Sequence, residues 1–79
     1  MSEAVHRRLE RPLDRLTRRE RQVLARMAEG KTNADIAAAL GVSQAAVAKH
    51  IGNIFTKLDI SDTPGHRRVL AVLIYLRAS

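Results

Sequence analysis

Between Ser43 and Thr56 the chain runs without one acidic residue, and on a helix this stretch sorts into two faces. Val47, Ile51, Ile54, Phe55 and Leu58 recur at helical spacing and would turn toward a core. The rest, Gln44, Ala45, Ala48, Lys49, Gly52, Asn53 and Thr56, make a face of small and polar side chains around one cation. A solvated helix face is ordinarily laced with Glu and Lys pairs, whereas a face without acids suits a surface pressed against phosphates. Small side chains at Ala45, Ala48 and Gly52 let a helix sink deeper into a DNA major groove. There Lys49 can donate to guanine O6 or N7, and Gln44 can pair with adenine or hold a phosphate. A phosphate-only contact serves Lys49 equally well, and a solvated face low in acid by composition is the plain alternative. Gly52 costs about 1 kcal/mol of helix propensity relative to Ala. Close approach of a DNA backbone or of a neighbouring helix compensates for that, or the position is tolerant.

No other group of residues offers chemistry. His6, His50 and His66 stand in separate segments with no Cys in the chain, so a metal site is not expected. Ser43 has no base beside it, and a helix N-cap accounts for it. A chain of 79 residues buries only about 60% of its unfolded surface, too little for a large enzyme cleft, so neither catalysis nor a cofactor is expected. Function must lie on a surface. Fourteen Lys and Arg against eight acids give a formal charge of +6, which favours a polyanionic partner. The longest apolar run, Val69 to Leu76, falls far short of the ~20 residues that span a bilayer. A soluble, cytoplasmic protein without a membrane partner is therefore expected.

The elements that must position the acid-free face follow from caps and spacing. Residues 1–15 are rich in charge, with Val5, Leu9, Leu13 and, just beyond, Leu16 at three- and four-residue steps and Pro12 among them, and they read as a tail or linker. Residues 16–79 read as one domain. Thr17 with Glu20 makes a capping box that opens a first helix carrying Val23, Leu24, Met27 and Ala28, which Gly30 ends in the left-handed conformation. Thr32 and Asp35 form a looser version of that cap for a second helix with Ile36, Ala37 and Leu40 inward, stopped at Gly41. Ser43 caps the third helix, of about 43–58. A turn this short forces steep crossing, the geometry of a helix-turn-helix, and Ala37, Ala38 and Ala45 allow the two helices to approach closely. After a turn-rich stretch through Pro64 and Gly65, a fourth helix runs from about His66 to Arg77. No strand signal is present, so the expected fold is all-α, a four-helix bundle containing a helix-turn-helix.

The segments Leu16 to Leu24, Ala28 to Ala37, Leu40 to Val47 and Lys49 to Leu58, in that order, resemble the LuxR-type (GerE, NarL) helix-turn-helix domain of bacterial transcription factors. The resemblance covers roughly residues 16–76. It implies a domain that binds double-stranded DNA as a dimer, with the third helix in the major groove and the fourth at the subunit contact. Such domains usually follow a receiver or a ligand-binding sensor domain. The resemblance carries base reading to Gln44, Ala45, Ala48, Lys49 and Gly52, and phosphate contacts to Thr32, Asn33, His50 and Lys57. A hydrogen bond within the domain is the alternative for His50. Two positions depart from the family pattern: Ala48 stands where a base is common and Ala46 where Thr is common, so the groove cation is displaced to Lys49.

Val69 to Leu76 is apolar at eight consecutive positions and so covers every side of the fourth helix. One face serves the core, and a second copy covers the other in a homodimer through Val69, Val72, Leu73 and Leu76. The alternative is a monomer with an unusually apolar terminal helix. His66, Arg67 and Arg68 crowd positive charge where the helix dipole disfavours it. A solvated turn is expected there, with an electrostatic role toward DNA for Arg67 and Arg68 as the second reading. The leading expectation is thus a sequence-specific transcriptional regulator's effector domain, either part of a response regulator or stand-alone. A helical module that binds a protein through its fourth helix is the rival.

Overall fold

The computed structural model describes residues 11–63 and 65–78. Most of the expected tail, with Val5, His6 and Leu9, lies outside these residues, as does Pro64. Among the described residues the chain is all-helical, with a 3-10 turn at Pro12–Arg15 followed by α1 (Arg18–Ala28), α2 (Asn33–Leu40), α3 (Gln44–Lys57) and α4 (Arg67–Ala78).

Each of the first three helices starts where a side chain can satisfy its free amides. Thr17 Oγ1 accepts from the Glu20 amide at 3.1 Å, and the Glu20 carboxylate accepts from the Thr17 amide at 2.8 Å. Thr32 and Asp35 repeat the reciprocal box at 3.1 and 3.2 Å, so this cap is complete, not loose. Ser43 Oγ accepts from the Ala46 amide at 3.0 Å. Gly41, at φ 68°, ends α2 in the left-handed conformation, and only three residues separate α2 from α3. After α3 the same conformation falls to Asp59, at φ 60°.

Leu24, Ile36, Ile54, Val23 and Val47 form the fully buried centre, and Ala71 brings α4 onto it. The helix α1 is the hub, packing against both α3 and α4, while α2 packs mainly against α3. Of the three alanines expected between α2 and α3, only Ala37 is buried; Ala38 and Ala45 face solvent. Of these, only Ala37 can take part in that close approach, and Ala45 belongs to the outer face of α3.

Residues 12–15, at the end of the expected tail, are built onto the helices. Pro12 starts a turn here because its fixed φ suits a first helical position. Leu13 packs against the core, and its carbonyl accepts from Arg21 Nε at 3.0 Å. Arg15 reaches the Lys57 carbonyl at 3.3 Å and the Asp59 carboxylate at 3.4 Å, tying the turn to the end of α3.

Candidate nucleic-acid interface

The core positions of α3 are Val47, Ile51 and Ile54, and they fix its rotation. That rotation turns Gln44, Ala45, Ala48, Lys49, Gly52 and Asn53 to solvent together. Among the described residues, Gln44, Lys49, His50 and Asn53 make no side-chain hydrogen bond or ion pair, which leaves their polar groups available to a partner. Thr56, the last member of the face, is engaged: its hydroxyl donates to the Gly52 carbonyl and accepts from Ser61 Oγ, each at 3.1 Å. The hydrogen bond within the domain considered for His50 is not made. A Cβ built at Gly52 meets nothing within 4 Å, so no neighbouring helix of this chain explains the glycine.

An open cleft of about 500 Å³ runs beside this face. Ala48, Gly52 and Phe55 of α3 form one side, Asn33 stands at the start of α2, and Arg67 and Arg68 come from α4. The cleft thus brings Asn33, expected on a phosphate, next to Ala48 and Gly52, expected toward bases. Thr32 is the N-cap residue immediately before it. Its hydroxyl oxygen is occupied by the Asp35 amide, and its proton remains to be donated.

Lys57 stands apart, eight residues and so ~12 Å beyond Lys49 along α3. Its ammonium lies 2.7 Å from the carboxylate of Glu20, whose side chain is 4% exposed. Burial pushes the Glu20 carboxyl up, but hydrogen bonds from Lys57 and the Thr17 amide outweigh it and hold the group below its ordinary value. Lys57 thus joins α3 to α1 through an ion pair within the domain.

Of the two arginines expected in a solvated turn, Arg67 is exposed and Arg68 is half-buried. Arg67 donates to the Ser61 carbonyl at 2.7 Å and lies over the Phe55 ring, 5.7 Å from its centre. Half-buried Arg68 spans two elements, donating at 2.8 Å both to Asn33 Oδ1 and to the Lys31 carbonyl. These acceptors offset the unfavourable helix dipole and give both arginines fixed positions. The sequence signal was present in the misplacement itself, because two cations in a first helical turn need a counterpart.

Along α4 the apolar residues divide between core and solvent, with Val72, expected on the outer face, on the core side. Ala71 is buried, Leu70, Val72, Ile74 and Tyr75 pack partly against the core, and Val69, Leu73 and Leu76 are exposed at 54%, 43% and 55%. These three are the exposed large hydrophobics of the described residues, and their spacing places them on one stripe. Val72 lies inward of that stripe, shared between it and the core. No helix among the described residues is long and apolar enough to cross a membrane.

Residues 14–73 match the family model described as bacterial regulatory proteins, luxR family (GerE). The chain is 49% identical over 47 residues to the uncharacterized transcriptional regulatory protein YhcZ of Bacillus subtilis, covering 60% of this chain and 22% of that protein. It is 42% identical over 65 residues to the probable transcriptional regulatory protein SgaR of Hyphomicrobium methylovorum, covering 82% of this chain and 28% of that one. The Escherichia coli nitrate/nitrite response regulator protein NarP is 37% identical over 68 residues, covering 86% of this chain and 29% of NarP. This chain therefore spans less than a third of these relatives' length. No solved structure is a significant match. Capped helices, the three-residue turn and the family match over most of its length agree: the chain belongs to the LuxR family of bacterial regulatory proteins.

Proposed function

We propose that this chain is the DNA-binding effector domain of a transcriptional regulator and lays α3 in the major groove of double-stranded DNA. The observation that carries the reading is the outer face of α3, which is exposed, free of acids and provided with unpartnered donors at Gln44, Lys49 and Asn53. Gln44, Ala45, Ala48, Lys49 and Gly52 turn toward base edges, and the small members admit the helix deeply enough for Lys49 to reach guanine. Thr32, Asn33 and His50 meet phosphates on the flanks. Lys57 contributes there only with donors left over from its bond to Glu20. The names of the relatives support regulation of transcription, and the response regulator among them supports a receiver domain elsewhere in the full protein.

The domain works as a homodimer through α4. The exposed stripe of Val69, Leu73 and Leu76 supports this, as does a shallow, mostly apolar cavity of about 260 Å³ beside it, lined by Met27, Arg68, Val69, Val72 and Leu73. An exposed apolar stripe continuous with a shallow apolar cavity suits a self-complementary contact between two copies.

Salt dependence separates DNA binding from protein binding through α4. The affinity for duplex DNA is expected to fall linearly on logarithmic axes, with a slope of about −0.9 for each phosphate neutralised. A slope near zero, with tight salt-insensitive binding to a protein partner, contradicts the proposal.

A further inference from the structure

Asn33 opens α2 inside the cleft, and its amide is held in one orientation. Arg68 donates through Nη1 to Asn33 Oδ1 and through Nη2 to the Lys31 carbonyl, both at 2.8 Å, so the guanidinium is clamped from two sides. A guanidinium carries only donors, so the amide must turn its oxygen toward Arg68 and its nitrogen away. That nitrogen has no hydrogen-bond partner among the described residues and is not a buried orphan, so it meets solvent. The same cleft is lined by Ala48 and Gly52 of the groove face.

We propose that Arg68 is a positioning residue for DNA binding: it locks the Asn33 amide with its NH₂ group outward, as a donor to a DNA phosphate entering the cleft. This rests on the reading of the chain as a DNA-binding domain. An unrestrained asparagine presents its oxygen as readily as its nitrogen, and an oxygen facing a phosphate is repelled. Fixing the donor before binding removes that ordering cost, and the hydrogen bond from Arg68 polarises the amide into a better donor. The arginine comes from α4 and the asparagine from α2, so a residue beside the dimer stripe sets the geometry of a phosphate contact.

The test measures affinity of the 79-residue chain for a duplex recovered from a random pool, at several salt concentrations. Arg68→Lys keeps the charge but cannot hold both acceptors in a fork. It is expected to bind about three- to fivefold more weakly with an unchanged salt slope, while Asn33→Ala binds about tenfold more weakly. In the Asn33→Ala background, Arg68→Lys is expected to have no further effect. Additive losses overturn the proposal, since Arg68 would then contact DNA itself, and so does an Arg68→Lys chain that binds like the unsubstituted one. Thermal unfolding establishes that each variant is folded. Should Arg68→Lys not fold, Arg68→Gln carries the test in the Asn33 and the Asn33→Ala backgrounds. A loss of affinity seen with Asn33 and absent with Asn33→Ala supports the proposal, and an equal loss in both overturns it. Absence of salt-sensitive binding by the unsubstituted chain sinks the DNA reading, whereas unaltered binding by the Arg68 variant alone sinks only the role of Arg68.

Discussion

Gly52 separates the demands of folding from those of binding more cleanly than any other residue of the groove face. It lies within α3 at a helical φ, with open space where a Cβ would go, so the isolated domain gains nothing from a glycine there. Gly52→Ala is therefore expected to stabilise the free domain by up to about 1 kcal/mol, read from denaturant unfolding. Under the proposed groove reading the sign reverses on DNA, because a methyl group would stand where the backbone or a base comes close, and binding is expected to weaken. A variant both more stable and equally tight would return Gly52 to a tolerated position with no part in the groove. Lys49 is the complementary residue. It supplies an unpartnered cation on that face, so its loss is expected to alter base preference and not only affinity.

At the scale of the helices, what the sequence disclosed was whatever is local to a few residues. Thr17, Thr32 and Ser43 announce their helices because each cap acts within three residues of itself, and Gly41 and Gly30 mark ends for a similarly local reason. The inward stripes of α1 to α3 were legible from spacing. Contacts between distant segments were not. Glu20 read only as a cap, although it also binds Lys57, 37 positions on, and Arg68 read as solvated, although its partners are Lys31 and Asn33. Ala38 and Ala45 were misplaced for the same reason, since small size does not say which way a residue points.

The Glu20–Lys57 pair makes a prediction at this scale. Because the folded pKa of Glu20 is lowered, its contribution to stability is complete above the unfolded value, near 4.5, and is lost as pH falls through the folded value. Glu20→Gln keeps acceptors for Thr17 and Lys57 but removes the charge. It is expected to cost about 1–2 kcal/mol at pH 7, with the difference from the unsubstituted chain closing as pH falls below the unfolded value. A difference that stays constant across that range in urea unfolding contradicts the account.

For the whole molecule, three facts bear on how it is used: a charge of +6, an apolar stripe on the last helix, and a length under a third of its relatives. Under the proposed function the charge draws the domain to DNA of any sequence, and the stripe joins two copies so that one weak reader becomes a pair. Leu73→Glu places a charge in the middle of that stripe and is expected to leave a folded monomer. Sedimentation on a full site should then show one copy bound where the unsubstituted chain shows two. Two copies of Leu73→Glu bound as tightly as before would move the subunit contact away from α4.

Selection of bound duplexes from a random DNA pool at moderate salt tests the central claim most directly, because it reports binding, base preference and symmetry together. The account predicts recovery of related sequences with two short half-sites in two-fold arrangement, one for each α3 of the dimer. Recovery of no DNA above background, or of sequences without any shared preference, would contradict the claim that the acid-free face of α3 reads the major groove.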